Sequence, residues 1–574
     1  MRPAIPRRRK RGEVKESAVH TGGMAGRGGK QGGADADVAV VGAGFAGLYL
    51  AHRATTLGLT VVVLEAGESV GGTWYWNRYP GARCDVESID YSYSFSEELQ
   101  QEWRWTERYA SQPEILRYLN HVADRFDLRR HIRLNTRVTA ARFDEDALTW
   151  TLTTDTDETV TAAFCVMATG GLSVPNRPDL PGLDDFRGEW YHTARWPAGG
   201  VDLRGRRVAV VGTGSTGIQA IPMIAREADH LIVLQRTPNF SVPARNRPLS
   251  EAELAKVKAT YARRRARGRI APSGVPSDRE PSPGRGVPPE RRRQAYEAGW
   301  AEGGASPLLR AYSDMLVDEE VNASLADFVR DKIGEIVDDP ATAAALTPYG
   351  YPLGAKRLCL DTDYFATYNR PNVELVDLRK TPIERITETG IQTGDTLYET
   401  DVIVFATGFD AISGAVTAID VRGRADRSLR DYWRTGPRAT LGLMAAGFPN
   451  LFLVNGPGSP AVLGNVLAFI EHHVEWIIDC IDSLRRDGIH TIESSEDSDE
   501  RWAVQVDEIA AATLYPKAES WFAGANVPGK PRRFLPYAAG LHTYRARCDD
   551  SAARGYGADF VLDHALSKHA EKRP

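Results

Sequence analysis

Two copies of one glycine pattern, each set between apolar strands, leave this chain few folds to adopt. Asp37-Val-Ala-Val-Val41 reads as a buried strand and runs into Gly42-Ala-Gly44-Phe-Ala-Gly47 and an apolar helix. A second strand, Thr60-Val-Val-Val-Leu-Glu65, ends on a carboxylate. This is the order of a βαβ dinucleotide unit. Its glycines allow a tight turn and bring backbone N–H groups close to a pyrophosphate, while the helix N-terminus adds partial positive charge. Glu65 stands 23 residues after Gly42 (65 − 42), where a carboxylate can accept both ribose hydroxyls.

The unit recurs. Arg206-Arg-Val-Ala-Val-Val211 leads into Gly212-Thr213-Gly214-Ser215-Thr216-Gly217, and Leu231-Ile-Val-Leu-Gln235 follows. Gln235 takes the place of Glu65, and Arg236-Thr237 comes next. A carboxylate would repel a 2′-phosphate, whereas a guanidinium pairs with it bidentately. The first site therefore reads as FAD and the second as NADPH rather than NADH. Gln219, in the second helix, joins the turn residues as a contact, and Arg236 and Thr237 take the phosphate side. The alternative leaves Arg236 as a solvated strand-end residue.

A chain of 574 residues exceeds one ordinary core and calls for two or more domains. With 26% charged residues and a net charge of −5, its surface has no bias toward nucleic acid or membrane. The longest uncharged apolar run, Val38 to Ala51, is about 14 residues, short of the roughly 20 that a membrane helix needs. Five scattered cysteines (Cys84, Cys165, Cys359, Cys480 and Cys548) form no CxxC pair. That count fits a reducing cytoplasm and argues against disulfides or a metal cage. The basic start, MRPAIPRRRKRGEVK, has no apolar segment behind it and so is no signal peptide. It and the Gly-rich sequence to about Gly33 read as a tail without a specific partner, rather than a targeting or nucleic-acid arm.

Phe164-Cys-Val-Met-Ala-Thr-Gly170 and Val402-Ile-Val-Phe-Ala-Thr-Gly408 are both apolar strands ending in Ala-Thr-Gly. In two-dinucleotide flavoproteins such strands mark crossings between domains. The expected architecture is α/β, with two Rossmann-like domains, the NADPH domain inserted in the FAD domain. Residues 35–170 and 410–563 form the FAD domain and 171–409 the NADPH domain, with tails at 1–34 and 564–574 and hinges near 171–200 and 400–410. Within the second domain, 249–350 reads as a helical insertion. Ser250-Glu-Ala-Glu starts a helix by its capping-box spacing, Pro272 to Pro289 is a mobile loop by composition, and helical periodicity returns between about Leu308 and Ile336. Arg263-Arg264-Arg265 reads as a solvated helix face. The stretch Phe186-Arg-Gly188-Glu-Trp-Tyr-His192-Thr-Ala-Arg-Trp196-Pro197 falls in the first hinge and carries neither a strand nor a cap pattern.

Two segments then carry a resemblance. Gly72-Thr73-Trp74-Tyr-Trp-Asn-Arg-Tyr79-Pro80-Gly81-Ala-Arg83-Cys-Asp85 and Phe186-x-Gly188-x-x-x-His192-x-x-x-Trp196-Pro197 resemble the two fingerprints of type I Baeyer–Villiger monooxygenases. The likeness runs from about residue 36 to about 563 and is nearest the phenylacetone and steroid monooxygenase branch. Disulfide reductases share the double Rossmann plan but need a redox cysteine pair, which this chain lacks.

The resemblance implies that NADPH reduces FAD, that the reduced flavin traps O2 as a peroxide, and that this species attacks a ketone to give an ester or lactone. The flavin carries the hard chemistry, and the protein's task is to stabilise an oxyanion, which a fixed cation does best. Arg357 matches the family's catalytic arginine, and Asp85 the carboxylate that pairs with it. Lys356 resembles the residue that helps hold the NADPH 2′-phosphate. Trp74 and Tyr79-Pro80-Gly81 resemble the flavin wall, with Thr73, Asp85 and Tyr91 as polar contacts and Arg83 as a further cofactor contact. Trp521-Phe-Ala-Gly-Ala-Asn526 resembles the mobile control loop, where Trp521 and Asn526 contact NADP+. His192 and Trp196 act in the hinge rather than in the chemistry. Val466 stands where the phenylacetone branch often has methionine; the smaller side chain implies room for a bulky cyclic or polycyclic ketone.

Two rival readings remain at this level. One is a related flavin enzyme oxidising amines or sulfides; the other is an NADPH oxidase, or a flavin- and NADPH-binding subunit without oxygenation. The expected partners are a small-molecule ketone and O2, with no nucleic acid, metal or membrane span; the oligomeric state is not encoded in any motif.

Overall fold

A computed structural model describes residues 34–277 and 281–564. The N-terminal tail to Gly33 and the C-terminal tail after His564 lie outside the described residues. Two sheets organise the chain, the first mixed and the second parallel. The first is eight-stranded. Across it run Asp420–Arg422, Val138–Asp144, Thr149–Thr154, Thr159–Met167, Ala36–Val41, Val61–Leu64 and Ile132–Arg133, and Leu451–Leu453 also pairs with Thr159–Met167. The second has five strands in the order Val373–Asp377, His230–Gln235, Arg207–Val211, Val402–Phe405 and Glu189–His192, all parallel.

The parallel strands of the two glycine units are continuous apolar runs because both faces of the sheet are covered there. Alternate residues feed different cores. Val38, Val40, Val63, Phe164 and Val166 face one; Ala39, Val41, Leu64, Cys165 and Met167 face the other. The second sheet repeats this, with Val208, Val210, Leu231 and Val233 on one side and Ala209, Val211, Ile232 and Leu234 on the other. The helix Phe45–Thr56 buries Leu48, Leu50 and Ala51 against the first sheet. Across it packs a 22-residue helix, Val466–Asp487, capped by the Asn465 side chain and stopped by Gly488 in the left-handed region.

Three local expectations need correction. The hinge stretch does contain a strand: Glu189–His192 extends the edge of the second sheet beside Val402–Phe405. Its aromatic residues hid the alternation. Gly188 is required there because a Cβ would come within 2.5 Å of Asp401 O. In the insertion, Ser250 forms the expected capping box with Glu253. Helix returns earlier than expected, however, at Pro289–Glu302, because Pro289 suits the first helical turn. The span from Leu308 to Ile336 is broken; its long helix, Glu319–Ile336, begins where the Asp318 side chain accepts from Glu320 N and Val321 N. Arg264 and Arg265, read as solvated, instead turn inward onto the first domain's loop at Asp90.

Candidate active site

A cavity of about 710 Å³ lies between the two sheets and is walled by residues of both glycine units. It begins at the first turn. Gly42 sits at φ +105°, and its Cβ would come within 2.6 Å of Ala168 O; Gly212 repeats the geometry at φ +110° against Ala406 O. Only glycine lets these turns close on the neighbouring crossing strands. Gly44 and Gly214 cap their helices without a side-chain hydrogen bond, so first-turn amides remain for an anion. Gly44, Phe45 and Ala46 line the cavity, and no atom lies within 4 Å of the Gly214 Cβ direction. These cradles fit dinucleotide phosphates. Gly47 and Gly217 pack their helices back onto the turns.

Glu65 is buried, and its carboxylate already accepts from Ala43 N and Gly67 N, each at 2.7 Å. Burial raises its pKa, and the two amides oppose that rise. Each oxygen keeps a second lone pair, so the carboxylate can brace the turn and still face the cavity. Gln235 does the matching work in the second unit. It is fully buried, accepts from Thr213 Oγ1 at 3.3 Å and donates to Ala345 O at 2.8 Å.

The first fingerprint forms a wall. Gly72 introduces the short helix Thr73–Trp76. Trp74 Nε1 donates to Tyr91 OH at 3.2 Å, with the rings edge to face. Asn77 Nδ2 donates to Thr73 Oγ1 at 2.8 Å. Tyr79 OH donates to Gln219 Oε1 at 2.9 Å, and Gln219 Nε2 donates to Arg83 O at 3.2 Å. The wall of the first unit thus sits on the helix of the second. Arg83 is spent on Glu107 and Tyr109 O, each at 2.9 Å.

Asp85 and Arg357 lie 272 residues apart in the chain and meet in this cavity, NH2 to Oδ2 at 3.3 Å. Arg357 NH1 also donates to Val462 O at 3.1 Å. Burial raises the Asp85 pKa, and Arg357 opposes the rise. For Arg357, burial works against the charge but is outweighed, chiefly by Asp85, so its pKa lies above the ordinary guanidinium value. The site therefore presents a permanent, held cation.

Thr73, Trp74, Arg83, Tyr91, Ser215, Thr216, Gln219, Val466 and Trp521 line the same cavity. Gly212, Thr213, Gly214, Arg236, Thr237 and Lys356 do not; they lie at the second turn and beyond it. Arg236 and Thr237 are exposed. Lys356 lies over the Tyr351 ring at 4.6 Å, and burial together with Arg236 lowers its pKa. Two cations held close enough to disfavour each other suit a dianionic phosphate.

His192 and Trp196 are buried outside the cavity. His192 Nδ1 accepts from Ala194 N at 3.1 Å, and Nε2 meets Thr407 Oγ1 at 3.2 Å. Burial pulls its pKa down to about 4. Thr407 Oγ1 in turn donates to Asn176 O at 2.6 Å, and Asn176 Nδ2 donates to Asn526 O at 3.0 Å. Asn526 Nδ2 donates to Phe409 O at 2.7 Å, while its buried Oδ1 has no partner. The hinge histidine and the Trp521–Asn526 segment are thus joined through one chain of hydrogen bonds.

Two charged cavity residues escaped the sequence reading. Arg195, inside the second fingerprint, stacks over Trp76 of the first at 4.4 Å. Arg137 lines the cavity beside Glu65 and lowers its pKa. Arg195 was visible as a charged residue among aromatics; Arg137 carried no signal.

Comparison with known proteins fits this geometry. Residues 39–265 match the family model described as pyridine nucleotide-disulphide oxidoreductase. The chain is 42% identical over 542 residues to the Baeyer-Villiger monooxygenase of Pseudooceanicola batsensis, covering 93% of this chain and 98% of that protein. The phenazine N-monooxygenase PhzNO1 of Lysobacter antibioticus is 42% identical, covering 92% and 97%. Among solved structures, an oxidized steroid monooxygenase bound to NADP superposes with a TM-score of 0.88 at 50% identity, covering 92% of this chain and 99% of that one.

The chain belongs to the Baeyer–Villiger monooxygenases. Membership explains the partial match to the disulphide oxidoreductases as a shared dinucleotide fold. All five cysteines of this Baeyer–Villiger monooxygenase are free and buried, so it has no redox pair to use.

Proposed function

We propose that this Baeyer–Villiger monooxygenase oxidises a bulky cyclic or polycyclic ketone, with Arg357 as the catalytic cation and Asp85 as its partner. It is an FAD- and NADPH-dependent enzyme that uses O2 to insert one oxygen beside a carbonyl, giving an ester or lactone. The observation that carries the site assignment is the Arg357–Asp85 pair inside the cavity. When bound, the flavin reduced by NADPH supplies the activated oxygen. Arg357 offers fixed positive charge where negative charge develops on oxygen, in a setting that excludes much water. Asp85 and Val462 O fix its direction. Thr73, Trp74, Tyr91 and Arg83 wall the flavin side, with Glu65 at the ribose. Ser215, Thr216 and Gln219 receive the nicotinamide dinucleotide, whose 2′-phosphate is read by Arg236, Thr237 and Lys356. His192 and Trp196 couple the hinge to the segment carrying Trp521 and Asn526.

The FAD unit is assigned to 35–170 and 410–563 and the NADPH unit to 171–409, with 249–350 as its insertion. The preference for bulk is supported by the short Val466 side chain on the cavity wall and by the likeness to a steroid monooxygenase. A cytoplasmic setting is supported by the unpaired cysteines. Among the described residues no helix is long and apolar enough to cross a membrane.

A second reading, oxidation of a heteroaromatic nitrogen, is favoured by the likeness to the phenazine N-monooxygenase. Incubating holoenzyme, NADPH and O2 with linear, cyclic and polycyclic ketones and with phenazines separates them. An ester that base cleaves to an alcohol and an acid, or a lactone that base opens to a hydroxy acid, is expected, most with polycyclic ketones. An N-oxide without any ester would overturn the ketone reading.

A further inference from the structure

The arginines of the helix Tyr261–Arg269 do work that neither the fingerprints nor the cofactor assignments explain. Asp90 is buried, 2% exposed, immediately before the wall residue Tyr91. Arg264 grips its carboxylate with two parallel hydrogen bonds, Nε to Oδ1 at 2.7 Å and NH2 to Oδ2 at 2.6 Å. Arg265 NH1 donates to Asp90 O at 2.9 Å, and its NH2 donates to Ser92 Oγ at 2.6 Å.

Asp90 O takes a second donor, Asn465 Nδ2, at 3.0 Å. Asn465 caps the helix that starts at Val466, its Oδ1 accepting from Leu467 N at 3.2 Å. Its own N–H donates at 2.7 Å to Ser273 O, just beyond the arginine helix. Gly464 approaches Ser273 so closely that a Cβ would overlap the Ser273 carbonyl. One buried aspartate therefore joins the helical insertion, the flavin-side wall at Tyr91 and the Gly464–Val466 wall. Tyr91, Gly464 and Val466 face the cavity; Asp90, Arg264, Arg265 and Asn465 do not.

We propose that Asp90 and Arg264 are positioning residues for the ketone pocket: their ion pair locks the helical insertion onto both cavity walls, so the insertion sets substrate fit without touching substrate. The idea rests on the ketone-oxidising reading above. A bidentate guanidinium–carboxylate contact fixes direction as well as distance. Removing one member leaves a buried charge unpaired, so the walls it braces must shift or loosen. A pocket displaced by a fraction of an ångström loses productive alignment more than it loses cofactor.

The test uses FAD-loaded enzyme and the variants Arg264→Met and Arg264→Lys. For Arg264→Met, the expected result is a ketone KM raised about fivefold, a smaller fraction of NADPH ending in ester, and an altered ratio of kcat/KM between small and polycyclic ketones. FAD content, NADPH KM and the rate of NADPH oxidation without ketone should stay at wild-type values. Arg264→Lys keeps the charge but not the fork and should recover part of the loss. Hydrogen exchange supplies a readout free of any substrate: amides of 88–94 and 463–470 should exchange faster in Arg264→Met, while 206–212 in the second sheet stay protected. Unchanged exchange together with unchanged ketone KM and selectivity would overturn the proposal. So would a joint fall in FAD content, NADPH KM and global protection, which marks a plain folding defect. If wild-type enzyme converts no ketone, the functional reading fails, and local exchange at 463–470 still decides the coupling.

Discussion

Arg357, the proposed catalytic cation, is a residue whose role is not legible from its own neighbours in the chain. Lys356-Arg357 in isolation is an ordinary basic turn; its meaning comes from Asp85, some 270 positions earlier in the chain. The structure brings the two together at 3.3 Å and keeps the guanidinium side chain 29% exposed, open to the cavity. Removing a preorganised charge from a developing oxyanion costs about 10²–10³ in rate. Arg357→Ala is therefore expected to lower ester formation by about that factor while the protein still copurifies with FAD, because the flavin wall and the glycine turns are untouched. Absorbance of the purified flavin and single-turnover product analysis check both halves; ester formation at the wild-type rate would remove Arg357 from the mechanism. The residues whose placement was legible in the sequence were those tied to a local spacing, such as Gly42, Glu65 and Gly212. Arg137, Arg264 and Arg265 were not, because an arginine's partner is set by tertiary approach. A run of three arginines looks the same whether it faces water or a buried carboxylate.

At the scale of elements, the hinge strand Glu189–His192 is where pattern reading gave way. An edge strand shows its alternation only if its outer face is polar, and here Trp190 and Tyr191 blur it. The helix at Pro289–Glu302 was hidden by the proline-rich run before it. The glycine-unit strands and helices were legible because burial on both faces leaves an unbroken apolar signature. The hinge strand also carries a testable charge effect. His192 is held neutral, its pKa drawn to about 4 by burial, whereas in an unfolded chain it titrates near the usual value of about 6.5. Between those values the unfolded state binds the extra proton, so stability rises with pH there and is lost as pH falls from about 6.5 toward 4. The loss attributable to this side chain is at most roughly 3 kcal/mol. In His192→Ala, melting midpoints should fall less steeply over that interval than in wild type. Turnover should also drop with FAD still bound, since the link through Thr407 and Asn176 to Asn526 is cut. Wild-type steady-state kinetics in that variant would refute the coupling, and an unchanged pH slope would refute the charge assignment.

For the molecule as a whole, the repeated glycine unit made two sheets legible, but no pattern in the chain measures the space between them. That cavity of about 710 Å³ has apolar walls that include Val41, Phe45, Trp74, Ile412, Val454 and Ile470. Protein interiors are close-packed, and a void of this size removes contacts from every side chain around it. FAD bound there would complete the core of the first unit and add stability by linkage. At a free concentration a hundred times its Kd, a ligand that binds only the folded state contributes about 2.7 kcal/mol. With an unfolding entropy of about 2.1 cal/mol/K per residue, a chain of 574 residues shifts its midpoint by about 2 °C for that amount, and more for tighter binding. Deflavinated protein is therefore expected to melt at least about 2 °C lower than holoenzyme and to recover on addition of FAD. NADPH alone should not restore it, because the second glycine unit gives the cavity only Ser215, Thr216 and Gln219, while its apolar walls come from elsewhere. Differential scanning calorimetry of apo, reconstituted and NADPH-treated samples gives the comparison. An apoprotein melting with the holoenzyme would mean that the two sheets hold each other without the flavin, and that the cavity is not a missing part of the core.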